Sequence, residues 1–443
     1  MSQSTNEFCE KHFPAFMVAA HVHLNISSEA ETLSQDALRT LQNQGLLNTV
    51  RWVLNRSEYY RKLYADAGIK SADDVRSIDQ LSELPMISKE DFRKTYPLGM
   101  SCVDRREFRE MHMSSGSTGT PIVMPYTAED LDQWAECMAR CYVMAGCKSG
   151  DTVQITPSFG LFNGGFGMYH GARKANLFVV PAGSGNTEQQ VRLIRDFETK
   201  VFTGIVSYAV RLLEVMKTMN VELPSLKIGI FGAESFSENM RKRIDSELGI
   251  TSYDIYGMTE TGGVGTLGMD CAARKGIHVW EDHYILEVID PKTHKTLPDG
   301  EVGELVVTSL TRKALPVIRF RTGDLSKIVS REQCDCGRTH VRIASIAGRT
   351  DDMLISKGVN FFPQQVENTL LEIPGVLSHY QIIVEDIDGI RDIRVNVEVA
   401  EPVTGYMVEK HLKKRLNFSP KVVVFKPGGL PRQEGKNQRV FIK

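Results

Sequence analysis

Apolar runs of strand length alternate with helical ones through the middle of this 443-residue chain, and that alternation limits its fold more than anything else in it. Asp151-Thr-Val-Gln-Ile-Thr156, residues 176–181, 201–206 and 228–231 read as strands. Residues 187–197 and the stretch ending at Met219 read as the helices between them, and the glycine- and phenylalanine-rich stretch after Thr156 reads as a loop as far as Gly171. Such alternation is the pattern of a largely parallel α/β sheet covered by its crossover helices. Upstream, Leu38, Leu41, Leu46, Leu47, Val50, Val53 and Leu54 recur near helical spacing, and Tyr59, Tyr60 and Leu63 extend the apolar face. Residues 84–92 read as a loop entering a helix with Ser88 as N-cap, and residues 128–145 as a helix rich in Met, Cys and Trp.

From His283 the texture changes. Residues 284–289, 303–308, 317–320 and 325–329 are short alternating runs divided by Gly, Pro and Asp turns, the signature of a small β-rich subdomain spanning 283–348. Beyond Arg349 a compact α+β pattern begins, with strands near 353–356, 381–384 and 394–399 and helices near 363–372 and 404–417. The expected class is therefore α/β. A large N-terminal domain, 1–348, carries mostly parallel sheets and the β-rich subdomain, and a small α+β C-terminal domain covers 349–443. A chain this long exceeds one typical core.

Composition excludes several function classes. Lys plus Arg number 53 against 55 Asp plus Glu, so no global charge favours nucleic acid or an anionic membrane. No apolar run approaches the ~20 residues of a membrane span. The polar N-terminus lacks the order of a secretory signal, and eight cysteines are few and irregularly spaced. These features predict a reduced, cytoplasmic protein; a homodimer is an allowed assembly.

The chemistry is carried by five stretches. Met111-His-Met-Ser-Ser-Gly-Ser-Thr-Gly-Thr-Pro121 places hydroxyls and glycines where backbone N–H groups can approach a polyphosphate, although a surface turn has the same composition. It lacks the lysine of the NTPase phosphate loop. Tyr253-Asp-Ile-Tyr-Gly-Met-Thr-Glu-Thr-Gly-Gly263, Arg321-Thr-Gly-Asp324, Gly348-Arg-Thr-Asp-Asp352 and Pro431-Arg-Gln-Glu-Gly-Lys436 follow in that order. Together they resemble the adenylate-forming superfamily of acyl-CoA synthetases, adenylation domains and luciferases. Within it the chain most resembles the phenylacetate–CoA ligase family. The short C-terminal part, Ser158-Phe-Gly-Leu-Phe-Asn-Gly-Gly-Phe-Gly167, Trp280-Glu-Asp-His283 and Gly358-Val-Asn-Phe-Phe-Pro363 carry that detail.

The resemblance implies an ATP-dependent acid–CoA ligase that forms an acyl-adenylate from an aryl or arylacetic acid, then a thioester. Ser114, Ser115, Gly116, Ser117, Thr118 and Gly119 would cradle the phosphates. Glu260 would hold Mg²⁺, and Thr259 would contact the α-phosphate. Gly232, Ala233, Glu234, Tyr256 and Gly257 would line the adenine. Asp324 would accept the ribose hydroxyls, as a carboxylate suits a diol. Arg349 would approach ribose or phosphate from the domain junction, and Lys436 would bridge the acid's carboxylate and the α-phosphate as a point charge. Asp351 is the implied hinge. Phe159, Phe162, Gly164, Gly165, His170 and Met258 would form the acid pocket, although the phenylalanines also suit a core.

Cys271, His278, Cys334 and Cys336 supply a Cys₃His set of the kind that holds structural Zn²⁺, with His283 and His340 as competing ligands and reduced loop thiols as the plain alternative. Two rival functions share the same residues. One is a synthetase that transfers AMP to a deazaflavin without CoA; the other is a non-catalytic, zinc-containing binding protein.

Overall fold

The computed structural model describes residues 28–114, 120–234, 236–350, 352, 354–356, 359–387, 390–400, 402–416, 419–432 and 439–442. Among them a nine-stranded sheet forms the centre of the large lobe. Phe178–Val180, Thr152–Ile155, Val201–Gly204, Ile228–Gly232 and Thr251–Met258 lie side by side and parallel. Val201–Gly204 and Ile228–Gly232 are buried at every position, as strands covered on both faces must be.

Only that half of the sheet is parallel. After Thr251–Met258 the order continues antiparallel through Gly263–Asp270, Ile277–Val279, Arg342–Ile343 and Ile328–Ser330. The reason is local. A single 3-10 turn, Thr259–Thr261, is followed by Gly262 at φ +107° and Gly263 at φ +119°, which return the chain at once. Such a hairpin leaves no room for the helix that a parallel crossover needs.

A second sheet joins Tyr284–Ile289, Gly303–Ser309, Phe320–Ser326 and Gly348–Arg349, all antiparallel. Here the expected strands at 317–320 and 325–329 are corrected to Phe320–Ser326 and Ile328–Ser330. The Arg-Thr-Gly-Asp stretch, read as an interruption, is itself strand. Gly323 passes through it at φ +78° and donates its N–H to Glu304 Oε1 at 3.1 Å, beside a register shift in the neighbouring strand. Residues 283–348 are also divided between two sheets, because Ile328–Ser330 and Arg342–Ile343 extend the central one.

The stretch after Ser158, expected as a loop as far as Gly171, is helical over Asn163–Lys174. Its glycines reflect close packing on the helix Ala128–Met144. A Cβ at Gly167 would stand 2.3 Å from Trp134 Cζ2, and one at Gly171 2.2 Å from Met138 Cβ. The other expected helices form as Gln35–Arg56, Glu58–Asp66, Thr187–Asp196 and Val206–Met219. Ser88 caps Lys89–Lys94 in a capping box with Asp91.

The C-terminal lobe is built on the hairpin Val376–Ile387 and Ile390–Val399, flanked in parallel by Val440–Ile442 and Lys421–Phe425. Pro363–Leu371 and Gly405–Leu416 cover it, and Val366, Leu370, Ile382, Val395, Val408 and Leu412 fill its own core.

Candidate active site

The carboxyl ends of parallel strands are where an open α/β sheet collects ligand groups. Ile228–Gly232 ends at Gly232-Ala233-Glu234, and Thr251–Met258 ends at Tyr256-Gly257-Met258, one strand over. Both glycines are sterically required: a Cβ at Gly232 would lie 2.8 Å from the Ile255 carbonyl oxygen, and one at Gly257 2.3 Å from that of Gly263. Ala233 takes φ +62° and is exposed. The Glu234 carboxylate accepts the Ser207 backbone N–H at 2.8 Å and its hydroxyl at 2.9 Å, so the turn is braced from the next helix.

Asp324 reaches the same place from the second sheet. Its Oδ2 accepts the Tyr256 hydroxyl at 2.8 Å, and its Oδ1 accepts Arg349 Nη1 at 2.6 Å. Burial raises the Asp324 pKa, while Arg349 and the Tyr256 hydrogen bond oppose the rise. Arg349 also donates to the Thr322 carbonyl at 3.2 Å, which fixes its fork.

Glu260, 4% exposed, sits on the turn after Met258 with Lys89 Nζ 3.6 Å from its Oε1. Thr259 Oγ1 accepts Asn163 Nδ2 at 2.8 Å, which ties the turn to the glycine-rich helix. Lys89 also lines a cleft of about 180 Å³, together with Glu90, Glu304, Arg321, Gly323 and Arg349 among others. Lys89 and Asn163 were not singled out in the sequence. Lys89 had read only as the start of a helix.

Ser114 closes the two ends of the hydroxyl-rich loop. Its N–H donates to the Ile122 carbonyl and its hydroxyl accepts the Ile122 N–H, both at 2.9 Å. Ser115, Gly116, Ser117, Thr118, Gly119, Asp351 and Lys436 lie outside the described residues.

Of the expected acid-pocket residues, Phe159 joins an aromatic cluster, edge-on to Phe166 at 5.4 Å and to Tyr169 at 6.2 Å. Met258 is half-buried against the same core. Gly165 permits the turn, since a Cβ there would meet the Ser158 carbonyl oxygen at 2.6 Å; at Gly164 it would meet Pro157 at 3.2 Å. Phe162 is 53% exposed and stands outside the ring cluster.

His170 lies 3.2 Å from Glu110, whose carboxylate also takes His112 Nε2 at 2.7 Å. Burial alone would raise the Glu110 pKa, but the two histidines outweigh it and bring it down to about 2. Glu110 escaped the sequence reading, since nothing local marks His170, 60 residues away, as its partner.

The donor atoms of Cys271, His278, Cys334 and Cys336 lie within 4.8 Å of one another. Cys271 Sγ is 3.7 Å from Cys334 Sγ, and Cys336 Sγ is 3.5 Å from His278 Nε2. A tetrahedron with Zn–S near ~2.3 Å has an S···S edge of ~3.8 Å, so the set fits that ion. The competing histidines are engaged elsewhere: His340 Nε2 with the Ala30 carbonyl and His283 Nδ1 with Thr311, each at 3.0 Å.

The pattern of the AMP-binding enzymes matches residues 55–311, and that of the AMP-binding enzyme C-terminal domain matches 358–443. The fold and these family patterns define an adenylate-forming enzyme. The phenylacetate-coenzyme A ligase of Thermus thermophilus is 40% identical, covering 93% of this chain and 97% of that protein. The phenylacetate-coenzyme A ligase of Pseudomonas putida is 38% identical, covering 93% and 96%. Among solved structures, 2-hydroxyisobutyryl-CoA ligase with 2-HIB-AMP in the postadenylation state superposes with a TM-score of 0.89 at 24% identity, covering 95% of this chain and 92% of that one. The same ligase in its thioesterification state gives 0.70 at 25% identity, covering 93% and 91%. The chain belongs to the phenylacetate–CoA ligase family of AMP-binding enzymes, ATP-dependent acid–CoA ligases that work through an acyl-adenylate. No helix among the described residues is long and apolar enough to cross a membrane.

Proposed function

We propose that the chain activates an aryl or arylacetic acid, phenylacetate or a close analogue, and that the residues assembled above divide the work. Asp324 accepts the ribose hydroxyls, preset by Tyr256 and Arg349. The Gly232–Glu234 turn and Tyr256 line the adenine. Ser114 to Gly119 receives the phosphates and Thr259 the α-phosphate. The acid lies along Phe159, Gly164, Gly165, His170 and Met258, with Phe162 at the mouth. Lys436 serves the first half-reaction. The boundary falls at Arg349-Thr-Asp351, and rotation about Asp351 then brings another face of the C-terminal lobe to CoA.

The observation that carries this reading is the hydrogen bond of Asp324 in one sheet with Tyr256 in the other, four residues before Glu260, in a chain related over nearly its whole length to phenylacetate–CoA ligases. Glu260 is a buried, hard carboxylate beside a cation, a donor suited to Mg²⁺. When bound, that ion neutralises charge on the triphosphate and its leaving group. Fixed donors then lower the barrier, because it is mostly a matter of accumulating charge.

The Cys271, His278, Cys334 and Cys336 set holds one structural Zn²⁺. Four protein donors leave no open position, so its role is to pin the Cys334–Cys336 turn to the Ile277–Val279 strand.

The test is acid-dependent pyrophosphate release across a panel of carboxylic acids, followed by loss of free CoA thiol. Arylacetic acids should support both. Pyrophosphate release without thiol consumption would overturn the CoA assignment in favour of AMP transfer to another acceptor.

A further inference from the structure

One carboxylate of the large lobe receives two side chains of the small one. Glu214, on the helix Val206–Met219, lies 2.9 Å from His379 Nε2 and 3.8 Å from Arg432 Nη2. Burial alone would raise the Glu214 pKa, but His379 and then Arg432 outweigh it and lower it to about 2. Arg432 arrives already oriented. Glu398 takes it in a two-point grip at 2.6 and 2.9 Å, and the same carboxylate accepts the Leu430 N–H at 2.9 Å. Leu371, at the end of Pro363–Leu371, adds an apolar contact by packing against the core of the Val206–Met219 and Glu238–Leu248 helices.

None of these groups is used by the chemistry described above, yet their position bears on it. Arg432 belongs to the Pro431–Lys436 stretch, four residues before the lysine. On its far side Arg439 lies over the Tyr380 ring at 4.5 Å, and the Tyr380 hydroxyl donates to Glu367 at 3.1 Å. The charge of Glu234, on the adenine-side turn, is near enough to help raise the pKa of both Glu367 and Tyr380. One flank of the lysine stretch thus meets the large lobe directly through Arg432 and Glu214, and the other rests on the Tyr380–Glu367 pair near the Glu234 turn.

We infer that Glu214 is an interlobe latch. With His379 and Arg432 it holds the C-terminal lobe in the adenylate-forming orientation, and it must release before the thioester step. It is a positioning residue and touches no substrate. The inference rests on the reading that Lys436 serves only the first half-reaction.

The experiment compares Glu214→Gln and His379→Gln with the parent enzyme in two assays: acid-dependent pyrophosphate release, and thioester formation from supplied acyl-adenylate and CoA. The latch requires the first rate to fall about 5-fold, the scale of a modest coupling between states, while the second holds or rises. Combining the substitutions should add little, since both open one contact. Small-angle scattering should show the lobes moving apart in each variant. Equal loss in both assays, or no change in either, would overturn the latch. If Glu214→Gln does not fold, His379→Gln makes the same test from the other lobe. Lys436→Ala run in parallel separates the two ideas. If it splits the half-reactions while the latch variants do not, only the latch fails; if it does not split them, the assignment of Lys436 fails.

Discussion

Asp324 shows how much one residue can carry. It is 6% exposed, and burial raises its pKa while Arg349 and the Tyr256 hydroxyl work against that rise. Asp324→Asn keeps the shape but loses the charge-assisted acceptor, an effect of about 1.5–3 kcal/mol. The KM for ATP should rise roughly 10- to 100-fold with little change in melting temperature, as initial-rate kinetics and a thermal melt would show. Glu110 gives a pH test. Its folded pKa, about 2, lies below the unfolded value of ~4.3, so its stabilisation is present above pH ~4.3 and is lost as pH falls toward 2. The gap in melting temperature between the parent and Glu110→Gln should be widest near pH 6 and close across that window. Asp324 and Glu260 were legible because each stands in a motif of consecutive residues. Lys89, Asn163 and Glu110 were not, because each acquires meaning only from a partner that folding brings up, 171, 96 and 60 residues away for Glu260, Thr259 and His170.

At the level of elements, strands and helices with plain periodicity were legible and glycine-rich stretches were not. Asn163–Lys174 read as loop because glycine is a poor helix former, whereas here it is selected by how closely Trp134 and Met138 approach. Gly167→Ala should therefore destabilise the fold by about 1–3 kcal/mol through overpacking, despite alanine's better propensity, and urea unfolding would measure it. The Arg321–Asp324 stretch was missed as strand for a related reason: a residue at φ +78° looks like a turn until a bulge in its neighbour accommodates it. The zinc proposal belongs at this scale too. Cys334→Ser with Cys336→Ser should lower metal content and melting temperature together, by metal analysis and thermal melts of protein purified without chelators. A zinc-free parent of equal stability would count against it.

For the whole molecule, the order of motifs predicted two lobes, and each has its own core among the described residues. What the sequence could not show is the contact between them, since Glu214, His379 and Arg432 belong to no shared pattern. Asp351→Pro tests the proposed rotation. Proline fixes φ and removes an N–H donor, so pyrophosphate release should persist while thioester formation falls at least several-fold in the paired assays. Matching rates for parent and variant would remove Asp351 as the pivot.

The indole of Trp134 is pressed between backbone atoms on two sides, because a Cβ at Gly167 would stand 2.3 Å from it and one at Gly263 2.4 Å. The spacing between the glycine-rich helix and the hairpin that follows the Thr259–Thr261 turn is thus set by one ring and two missing side chains. A side chain added at either glycine collides with the ring, so neither position can be varied unless Trp134 is cut back first. Under the proposed acid site the tolerant ground is the exposed pair Leu161 and Phe162, where a library can vary shape without touching the packed ring.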